Sequence, residues 1–290
     1  MPTFLVAGAS GHTGAVVAQH LLDQKQKVRV LVRDPAKGER WKKRGAEVAV
    51  ATVEDPHALA GAFRGASAAY LLIPPAPPST TGLIARAKKI IEAYLQAGTG
   101  SHLHHAVFLS SVGAQVPEGT GHIQTLRLAE QQLKAWKFPV TFLRASSFVE
   151  NWTPMLGFAK EGQLPTFFPP DFKYPQVSTH DIGRVAAELI GEHPKAHRVV
   201  ELAGPAEASP TDVAETLGRL LGREVKVAPQ PLTAVAQGFE GMGFSPEFAG
   251  IFQEMYGAIA SGKVTWEHPE AVRRGKESLE QTLQGILKKS

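Results

Sequence analysis

The sequence predicts an α/β protein built on a doubly wound parallel Rossmann sheet, with a smaller C-terminal α/β lobe. Three observations predict this fold. Short apolar runs alternate with longer helical patterns over residues 1–147, the runs are apolar at nearly every position, and a glycine-rich loop follows the first run. We expect the Rossmann domain to span residues 1–147 and the smaller lobe to span residues 148–290.

The first 147 residues are expected to form six strands that alternate with helices, because each apolar run is followed by a segment with helical spacing. The predicted strands are Thr3–Ala7, Val28–Val32, Glu47–Ala51, Ala68–Ile73, Ala106–Ser110 and Val140–Arg144. The predicted helices are Ala15–Leu22, His57–Phe63, Leu83–Ala97 and Ile123–Trp136. Such βαβ units place helices on both faces of a parallel sheet.

Residues 148–178 are rich in aromatic residues, glycine and proline and have little periodicity. Helices are predicted beyond them at His180–Ile190, at Pro210–Leu221, where Thr211-Asp212 supplies capping chemistry, and along the tail from Leu232. Arg198–Leu202 has the pattern of a strand that can return to the main sheet.

The composition excludes several classes of site. The 290 residues include no cysteine, which excludes disulfides, thiolate nucleophiles and cysteine-based metal centres. We expect a cytoplasmic protein with no membrane partner, since there is no signal-peptide pattern and no apolar run long enough to span a bilayer. The net charge of +4 and the short basic run 37–44 predict no direct nucleic-acid binding. No metal site is expected, and His102, His104 and His105 are interpreted as a surface loop.

The loop Gly8-Ala9-Ser10-Gly11-His12-Thr13-Gly14 lies between a predicted strand and a predicted helix. Glycine permits a tight turn and a close approach of the backbone to phosphate oxygens, and free N–H groups at the helix start favour negative charge. The spacing is Gly-x-x-Gly-x-x-Gly rather than the commonest dinucleotide pattern. The loop therefore predicts a site for the diphosphate of a dinucleotide, with a glycine-rich turn that binds nothing as the alternative.

The second predicted strand ends in Val32-Arg33-Asp34-Pro35. NAD-preferring proteins place an acidic side chain here for the ribose hydroxyls, whereas an arginine accommodates the 2′-phosphate of NADP. Arg33, with Lys37 close behind, therefore favours NADP(H), and Asp34 leaves NAD(H) use open. The alternative is that Arg33 and Asp34 are ordinary surface charges.

Later segments add to these motifs: Leu109-Ser110-Ser111-Val112-Gly113, the stretch from Phe142-Leu143-Arg144 to Phe148-Val149-Glu150-Asn151, and His180-Asp181-Ile182-Gly183. In this order, and over essentially the whole chain, they resemble the NmrA-like branch of the atypical short-chain dehydrogenases/reductases. The resemblance implies NADP(H) at the strand ends and a C-terminal lobe that closes a substrate cleft. The family includes NADPH-dependent quinone reductases, isoflavone-type reductases and proteins that sense the dinucleotide redox state without catalysis.

The resemblance also implies which residues contact the cofactor. The diphosphate would be held by Gly8, Ser10, Gly11, His12, Thr13 and Gly14, and the 2′-phosphate by Arg33 and Lys37. Ile73 and Pro74 would line the adenosine ribose, and Ser110 and Ser111 would lie near the nicotinamide. Relatives often have Gly-Asp after the third strand; here the sequence is Ala51-Thr52-Val53, so an adenine contact is expected from Thr52 or from the backbone near Val53.

The proton-transfer residues that the family resemblance implies are missing from this sequence. Active short-chain dehydrogenases use Tyr-x-x-x-Lys, but here His122 occupies the tyrosine position and Leu126 the lysine position. Some quinone-reductase-like relatives also begin this helix with His-Ile. His122 is therefore a candidate acid, and a capping or packing role is the alternative.

Residues after the sixth strand, most of them aromatic or apolar, form a candidate substrate pocket: Phe148, Asn151, Trp152 and Met155, with Phe158, Phe167 and Phe168 as further aromatic candidates. The alternative is ordinary packing between the lobes.

Two functions stay open. One is an NADPH-dependent oxidoreductase that reduces a quinone or a similar conjugated carbonyl by direct hydride transfer. The other is a non-catalytic NADP(H)-binding redox sensor that regulates a protein partner. A sugar-nucleotide epimerase is disfavoured because it would need the absent tyrosine and lysine. Hydrolase motifs are absent too. The sequence also leaves open whether the protein forms a homodimer.

Overall fold

A computed structural model describes residues 2–289, which form a parallel sheet with helices on both faces and a smaller lobe above one end. The strands in chain order are β1 (Thr3–Val6), β2 (Lys27–Val32), β3 (Glu47–Val50), β4 (Ala68–Leu71), β5 (His105–Ser111), β6 (Val140–Ala145), β7 (Ser147–Phe148), β8 (Gln163–Thr166), β9 (Tyr174–Val177), β10 (Arg198–Ala203), β11 (Glu207–Ala208), β12 (Lys226–Pro229) and β13 (Arg273–Arg274).

The helices alternate with the strands in the first half of the chain and dominate its end. In chain order they are α1 (His12–Asp23), α2 (Glu39–Lys42), α3 (Pro56–Phe63), α4 (Leu83–Gly98), α5 (Ile123–Leu133), α6 (Leu156–Lys160), α7 (Thr179–Ile190), α8 (Pro210–Leu221), α9 (Val235–Gly241), α10 (Pro246–Ala260) and α11 (Leu279–Leu287). A 3₁₀ segment, Val149–Met155, leads into α6.

The main sheet has eight strands in the order β13-β10-β6-β5-β4-β1-β2-β3, and the neighbouring strands pair in parallel. The predicted fold class is therefore confirmed. The strand order reverses between β1 and β4, and the chain crosses from one face of the sheet to the other at this point. Ligands of such sheets bind at the carboxyl ends of the strands beside this reversal.

The predicted elements of the first half are all present, with ends that shift by up to three residues. Helix α1 begins at His12 rather than Ala15 because the last residues of the glycine loop already adopt helical geometry. The tail from Leu232 is only partly helical, since β13 interrupts it. The segment 148–178 also contains ordered elements, which its irregular sequence did not predict.

Residues 148–290 divide between the sheet and the lobe. Strands β10 and β13 extend the main sheet beyond β6, and α7 packs on α1. The lobe itself contains the small β11-β9-β7 and β12-β8 sheets and has its own apolar core around Trp152, Leu164 and Leu217. The return of Arg198–Leu202 to the sheet, which the sequence allowed, is thus observed.

The crossing of α1 and α7 is unusually close at Gly183. A Cβ atom at this position would lie 2.5 Å from the Cβ of Val16 and 2.8 Å from the carbonyl oxygen of Thr13. Only glycine lets the two helices approach so closely, which explains the glycine in His-Asp-Ile-Gly. This packing ties the chain beyond residue 178 to the helix that follows the glycine loop.

In the part of the chain that the structure describes, no helix is both long enough and apolar enough to cross a membrane.

His105 does not lie in a surface loop, so that interpretation was wrong for this residue. It is the first residue of β5 and is buried, and its Nε2 lies 2.8 Å from Thr141 Oγ1. The strand begins one residue earlier than predicted, which carries the side chain into the interior. Burial lowers the pKa of His105 to about 4. His102 and His104 are exposed.

We predict that the free energy of unfolding falls as the pH drops from about 6.5 to about 4, by roughly 1–3 kcal/mol. The unfolded chain accepts a proton on His105 in this range, whereas the folded chain does not, so acid favours unfolding. Urea titrations at several pH values measure the effect. The variant H105Q should lose this part of the pH dependence, and H104Q, which changes the exposed neighbour, should keep it. Equal slopes for wild type and H105Q would contradict the assignment.

Candidate functional site

A cleft of about 760 Å³ lies at the carboxyl ends of the central strands. One end is formed by the glycine loop and the end of β2, and the other by β5, the start of α5 and the segment after β6. Helix α10 covers it from the lobe side. The cleft is long, and its two ends have different chemistry.

The glycine loop turns sharply and brings α1 close to the end of β1. Gly8 has a φ of +67°, and a Cβ on it would lie 2.8 Å from the Leu72 side chain. A Cβ on Gly14 would lie 2.5 Å from the carbonyl oxygens of Ala7 and Gly8. Among residues 2–289, no side chain caps α1 at Gly11. The first N–H groups of α1 are therefore free to bind an anion at the cleft.

Two side chains of α2 hold the back of this loop. Arg40 donates to the carbonyl oxygen of Ala9 at 2.7 Å, and the indole N–H of Trp41 donates to the same oxygen at 3.2 Å. The guanidinium of Arg40 also stacks on the Trp41 ring, 4.8 Å from its centre. Because Ala9 is held from behind, the loop stays in the shape that presents its amides to the cleft. The sequence pattern gave no indication of this support.

Arg33 and Lys37 are exposed residues that line the cleft beside the glycine loop. Within residues 2–289, neither side chain forms a hydrogen bond or ion pair. Asp34 differs, because its carboxylate accepts the Ala36 N–H at 2.9 Å and caps a 3₁₀ turn. Two unpaired cations thus lie next to the glycine loop, while the intervening acid has a structural role.

The neighbouring part of the cleft is lined by Val53, Ile73 and Pro74. Thr52 is exposed and Gly14 lies behind the loop, and neither is among the residues that line the cleft. Arg86 was missed: it lines the cleft, donates to the Pro74 carbonyl at 2.9 Å and pairs with Glu54 at 3.1 Å. A single arginine on a helix carries no sequence signal for such a role.

Ser110 and Ser111 line the cleft at the end of β5, but their protons are already used. The Ser110 hydroxyl donates to the Glu130 carboxylate at 2.6 Å, and the Ser111 hydroxyl donates to the Val112 carbonyl at 2.9 Å. Each hydroxyl oxygen can therefore accept a hydrogen bond from a ligand in the cleft but cannot donate one.

Behind Ser110 lies a buried cluster of charges. Arg144 of β6 forms a bidentate pair with Glu130 of α5, at 2.8 and 2.7 Å, and also binds Glu267. Glu201 of β10 accepts the N–H groups of Glu267 and His268 at 2.9 Å each. Burial alone would lower the pKa of Arg144, but Glu130 and Glu267 outweigh it and raise the pKa. The cluster thus joins the sheet to the segment that follows α10.

His122 lines the cleft immediately before α5. Its ring stacks on Phe252 of α10, with ring centres 5.4 Å apart, and its buried Nδ1 has no hydrogen-bond partner within residues 2–289. It makes no capping hydrogen bond to α5. Burial lowers its pKa, so the ring is mostly neutral at neutral pH. Leu126, at the position of the family lysine, also lines the cleft.

The candidate substrate residues separate into two groups. Phe148 and Asn151 line the cleft. Trp152 donates to the Gln176 side chain at 2.8 Å in the core of the lobe, Met155 packs against that core, and neither is among the residues lining the cleft. Of the further aromatic candidates, Phe158 is exposed, and Phe167 and Phe168 pack on Tyr256 between the lobe elements.

The roof of this end of the cleft was missed. It consists of side chains on one face of α10: Phe248, Phe252, Met255 and Ile259. Their spacing of four, three and four residues is that of an apolar helix face, so the sequence contained a signal for a buried face. It did not indicate that this face would cover the cleft, because that depends on how the tail folds back. The start of α10 is held there by Ser245, which donates to the Thr80 carbonyl at 2.7 Å.

A model of the NmrA-like family matches residues 2–271. The chain belongs to the NmrA-like family. The resemblance inferred from its motifs is thus confirmed.

Several characterised proteins are similar to this chain. An NAD(P)H azoreductase from Xenophilus azovorans is 25% identical over 256 residues, which cover 87% of this chain and 85% of the azoreductase. A crystal structure of an NADPH-dependent quinone oxidoreductase from Escherichia coli superposes with a TM-score of 0.78 at 20% identity, covering 98% and 99% of the two chains. A nucleoside-diphosphate-sugar epimerase from Staphylococcus aureus superposes with a TM-score of 0.79 at 19% identity, covering 98% and 100%. Structural likeness at these identities shows a shared fold.

We predict that E130Q destabilises the fold by about 3 kcal/mol, because it removes one partner of a buried ion pair and leaves Arg144 under-compensated. Urea unfolding of wild type and variant measures the difference. The matched control is E47Q, which breaks the Arg29–Glu47 pair on the surface, where Glu47 is 56% exposed, and should cost less than about 1 kcal/mol. Similar losses in the free energy of unfolding for both variants would contradict this prediction, because the buried cluster would then stabilise the fold no more than a surface ion pair does.

Proposed function

We propose that this protein is an NADPH-dependent oxidoreductase that reduces a planar conjugated acceptor, such as a quinone, by direct hydride transfer. The observation that carries the proposal is the single cleft with two ends: an anion-binding glycine loop with free cations at one end, and an apolar aromatic roof above His122 at the other. The azoreductase and the quinone oxidoreductase that resemble the chain are both named for nicotinamide-dependent reduction, which supports the same reaction class.

The residues at the first end fit a dinucleotide. Gly8, Ser10, Gly11, His12 and Thr13 would surround the diphosphate, with Gly14 allowing α1 to approach. Arg33 and Lys37 would bind the 2′-phosphate, for which two unpaired cations are suited. Val53, Ile73 and Pro74 would contact the adenosine, with Thr52 as a candidate at the rim. Ser110 and Ser111 would accept hydrogen bonds near the nicotinamide.

The bound cofactor would supply a hydride to the acceptor. The residues of the second end would orient that acceptor: Phe248 and Phe252 are flat, apolar surfaces, and Phe148 and Asn151 also line the cleft. A planar conjugated ring matches this shape better than a sugar does, because few polar groups are available to bind sugar hydroxyls. Trp152 and Met155 would support the pocket from the lobe core.

The proton that completes the reduction would come through His122. Neither Ser110 nor Ser111 has a free proton, and Leu126 cannot act as the family lysine does. The imidazolium form of His122 can donate a proton to the acceptor oxygen that becomes negatively charged. One hydride and one proton convert a quinone into a quinol.

The direct test of the proposed function is NADPH consumption with a panel of quinones and azo compounds, with the reduced product identified. We expect turnover with at least one flat aromatic quinone and weaker turnover with small aliphatic carbonyls. Tight NADPH binding without turnover of any acceptor would overturn the proposed reduction. The lack of a Tyr-x-x-x-Lys pair would then favour the second candidate function, a redox sensor that regulates a protein partner.

For cofactor preference, we predict that R33A raises the dissociation constant of NADPH by about ten- to hundredfold and leaves that of NADH nearly unchanged. The physical reason is the loss of a charge-assisted contact to the 2′-phosphate, which NADH lacks. Fluorescence titration measures both constants. K43A, which removes an exposed cation outside the cleft, is the control. An equal weakening of NADPH and NADH in R33A would refute the assignment.

For the proton, we predict that kcat/KM for a quinone rises as the pH falls from about 7 towards 5. The pKa of His122 lies below its ordinary value of 6.5, so the protonated form becomes populated only as the solution becomes more acidic. H122Q should lower kcat/KM at acidic pH by about tenfold or more and remove the pH dependence. H57Q, at an exposed histidine outside the cleft, should retain it. An unchanged pH profile in H122Q would eliminate His122 as the donor.

A further inference from the structure

Tyr70 of β4 forms a hydrogen bond to a residue of the glycine loop. Its hydroxyl lies 2.9 Å from Thr13 Oγ1, and both side chains are buried, with exposures of 0% for Tyr70 and 6% for Thr13. Thr13 is the second residue of α1 and lines the cleft, whereas Tyr70 lies behind it in the sheet and does not. A buried tyrosine thus forms a hydrogen bond with a side chain that lines the cleft.

The direction of this hydrogen bond follows from the surroundings. Burial raises the pKa of Tyr70, so its hydroxyl is protonated. Within residues 2–289, Thr13 Oγ1 is its hydrogen-bond partner, and a buried hydroxyl proton without an acceptor would be costly. Tyr70 therefore donates and Thr13 accepts. The Thr13 hydroxyl still has its own proton, and no acceptor for that proton is found in the same part of the chain.

We infer that Tyr70 is a positioning residue that turns the Thr13 hydroxyl into a dedicated donor to a phosphate oxygen in the cleft. The Tyr70 hydrogen bond occupies one lone pair of Thr13 Oγ1 and fixes the rotation of the side chain. The remaining proton is then available to a ligand in the cleft, which Thr13 lines beside the free N–H groups at the start of α1. A hydroxyl that accepts one hydrogen bond is also a stronger donor of the next.

The inference rests on the proposed dinucleotide site, and it concerns the diphosphate alone. Arg33 and Lys37 lie at the end of β2 and would act on the 2′-phosphate, so Tyr70 and Arg33 affect different parts of one ligand. Adenosine 2′-monophosphate lacks the diphosphate and therefore separates the two effects.

The test compares Y70F with Y94F. Tyr94 is equally buried, and its hydroxyl donates to the Leu72 backbone carbonyl at 2.9 Å, so Y94F makes the same chemical change at a backbone acceptor rather than at the Thr13 hydroxyl. We expect Y70F to raise the dissociation constant of NADPH by about three- to tenfold, and Y94F by less than about twofold. Y70F should leave the affinity for adenosine 2′-monophosphate, measured by competition, unchanged.

A double-mutant cycle with T13V shows whether Tyr70 acts through Thr13. In the T13V background, Y70F should change the NADPH dissociation constant by less than about twofold, because the hydroxyl that it positions is gone. Thermal unfolding provides the second measurement: T13V leaves the Tyr70 hydroxyl without an acceptor and lowers Tm, and adding Y70F should recover part of that loss. If T13V does not fold, the comparison of Y70F with Y94F still decides the question.

The inference is overturned if Y70F weakens NADPH no more than Y94F does, or if its effect persists in T13V. It is also overturned if Y70F weakens adenosine 2′-monophosphate equally, since the effect would then be a general distortion. Wild-type protein that does not bind NADPH would overturn the dinucleotide site as well. Normal quinone turnover together with no specific Y70F effect would overturn the role of Tyr70 alone.

Discussion

The close approach of α1 to the carboxyl end of β1 is the constraint on which the other features of the site depend. It requires glycine at Gly14, where any Cβ would collide with the carbonyl oxygens of the preceding turn. The same approach carries Thr13 over Tyr70 and brings α1 against α7 at Gly183. One backbone arrangement thus exposes the first N–H groups of α1 at the cleft, places Thr13 beside Tyr70 and attaches the second half of the chain.

A second interaction network joins the opposite end of the cleft to the lobe. Arg144 connects α5, through Glu130, to the segment after α10, through Glu267. At its other end, α10 is attached to the loop after β4 by Ser245. Because the roof helix is held at both ends, the aromatic face above His122 is part of the folded structure. Removing these charges from water costs free energy, and this cost is offset only where the ion-pair geometry is good and all hydrogen bonds are formed.

The sequence predicted the parallel sheet and the loop motifs well because both depend on local patterns: alternating apolar runs and glycine spacing. The position of Arg33 at the cleft could be predicted because it follows from the end of a strand. The sequence did not show that α10 covers the cleft or that Arg86 lines it, since both depend on how distant segments fold together. Trp152 shows the opposite case. It is an aromatic residue near the site and was expected in the substrate pocket, but its indole N–H donates to the buried Gln176 side chain in the lobe core. Apolar periodicity predicts that a helix face is buried, but it does not show which part of the protein that face packs against.

The central claim is that one cleft holds a dinucleotide and a flat acceptor side by side. The most direct measurement is a crystal structure of the protein with NADP⁺ and a quinone bound. We expect the diphosphate on the loop from Gly8 to Gly14, the 2′-phosphate at Arg33, and the quinone between the nicotinamide and Phe252, with an oxygen next to His122. A dinucleotide bound elsewhere, or a quinone bound outside the space beneath α10, would contradict it.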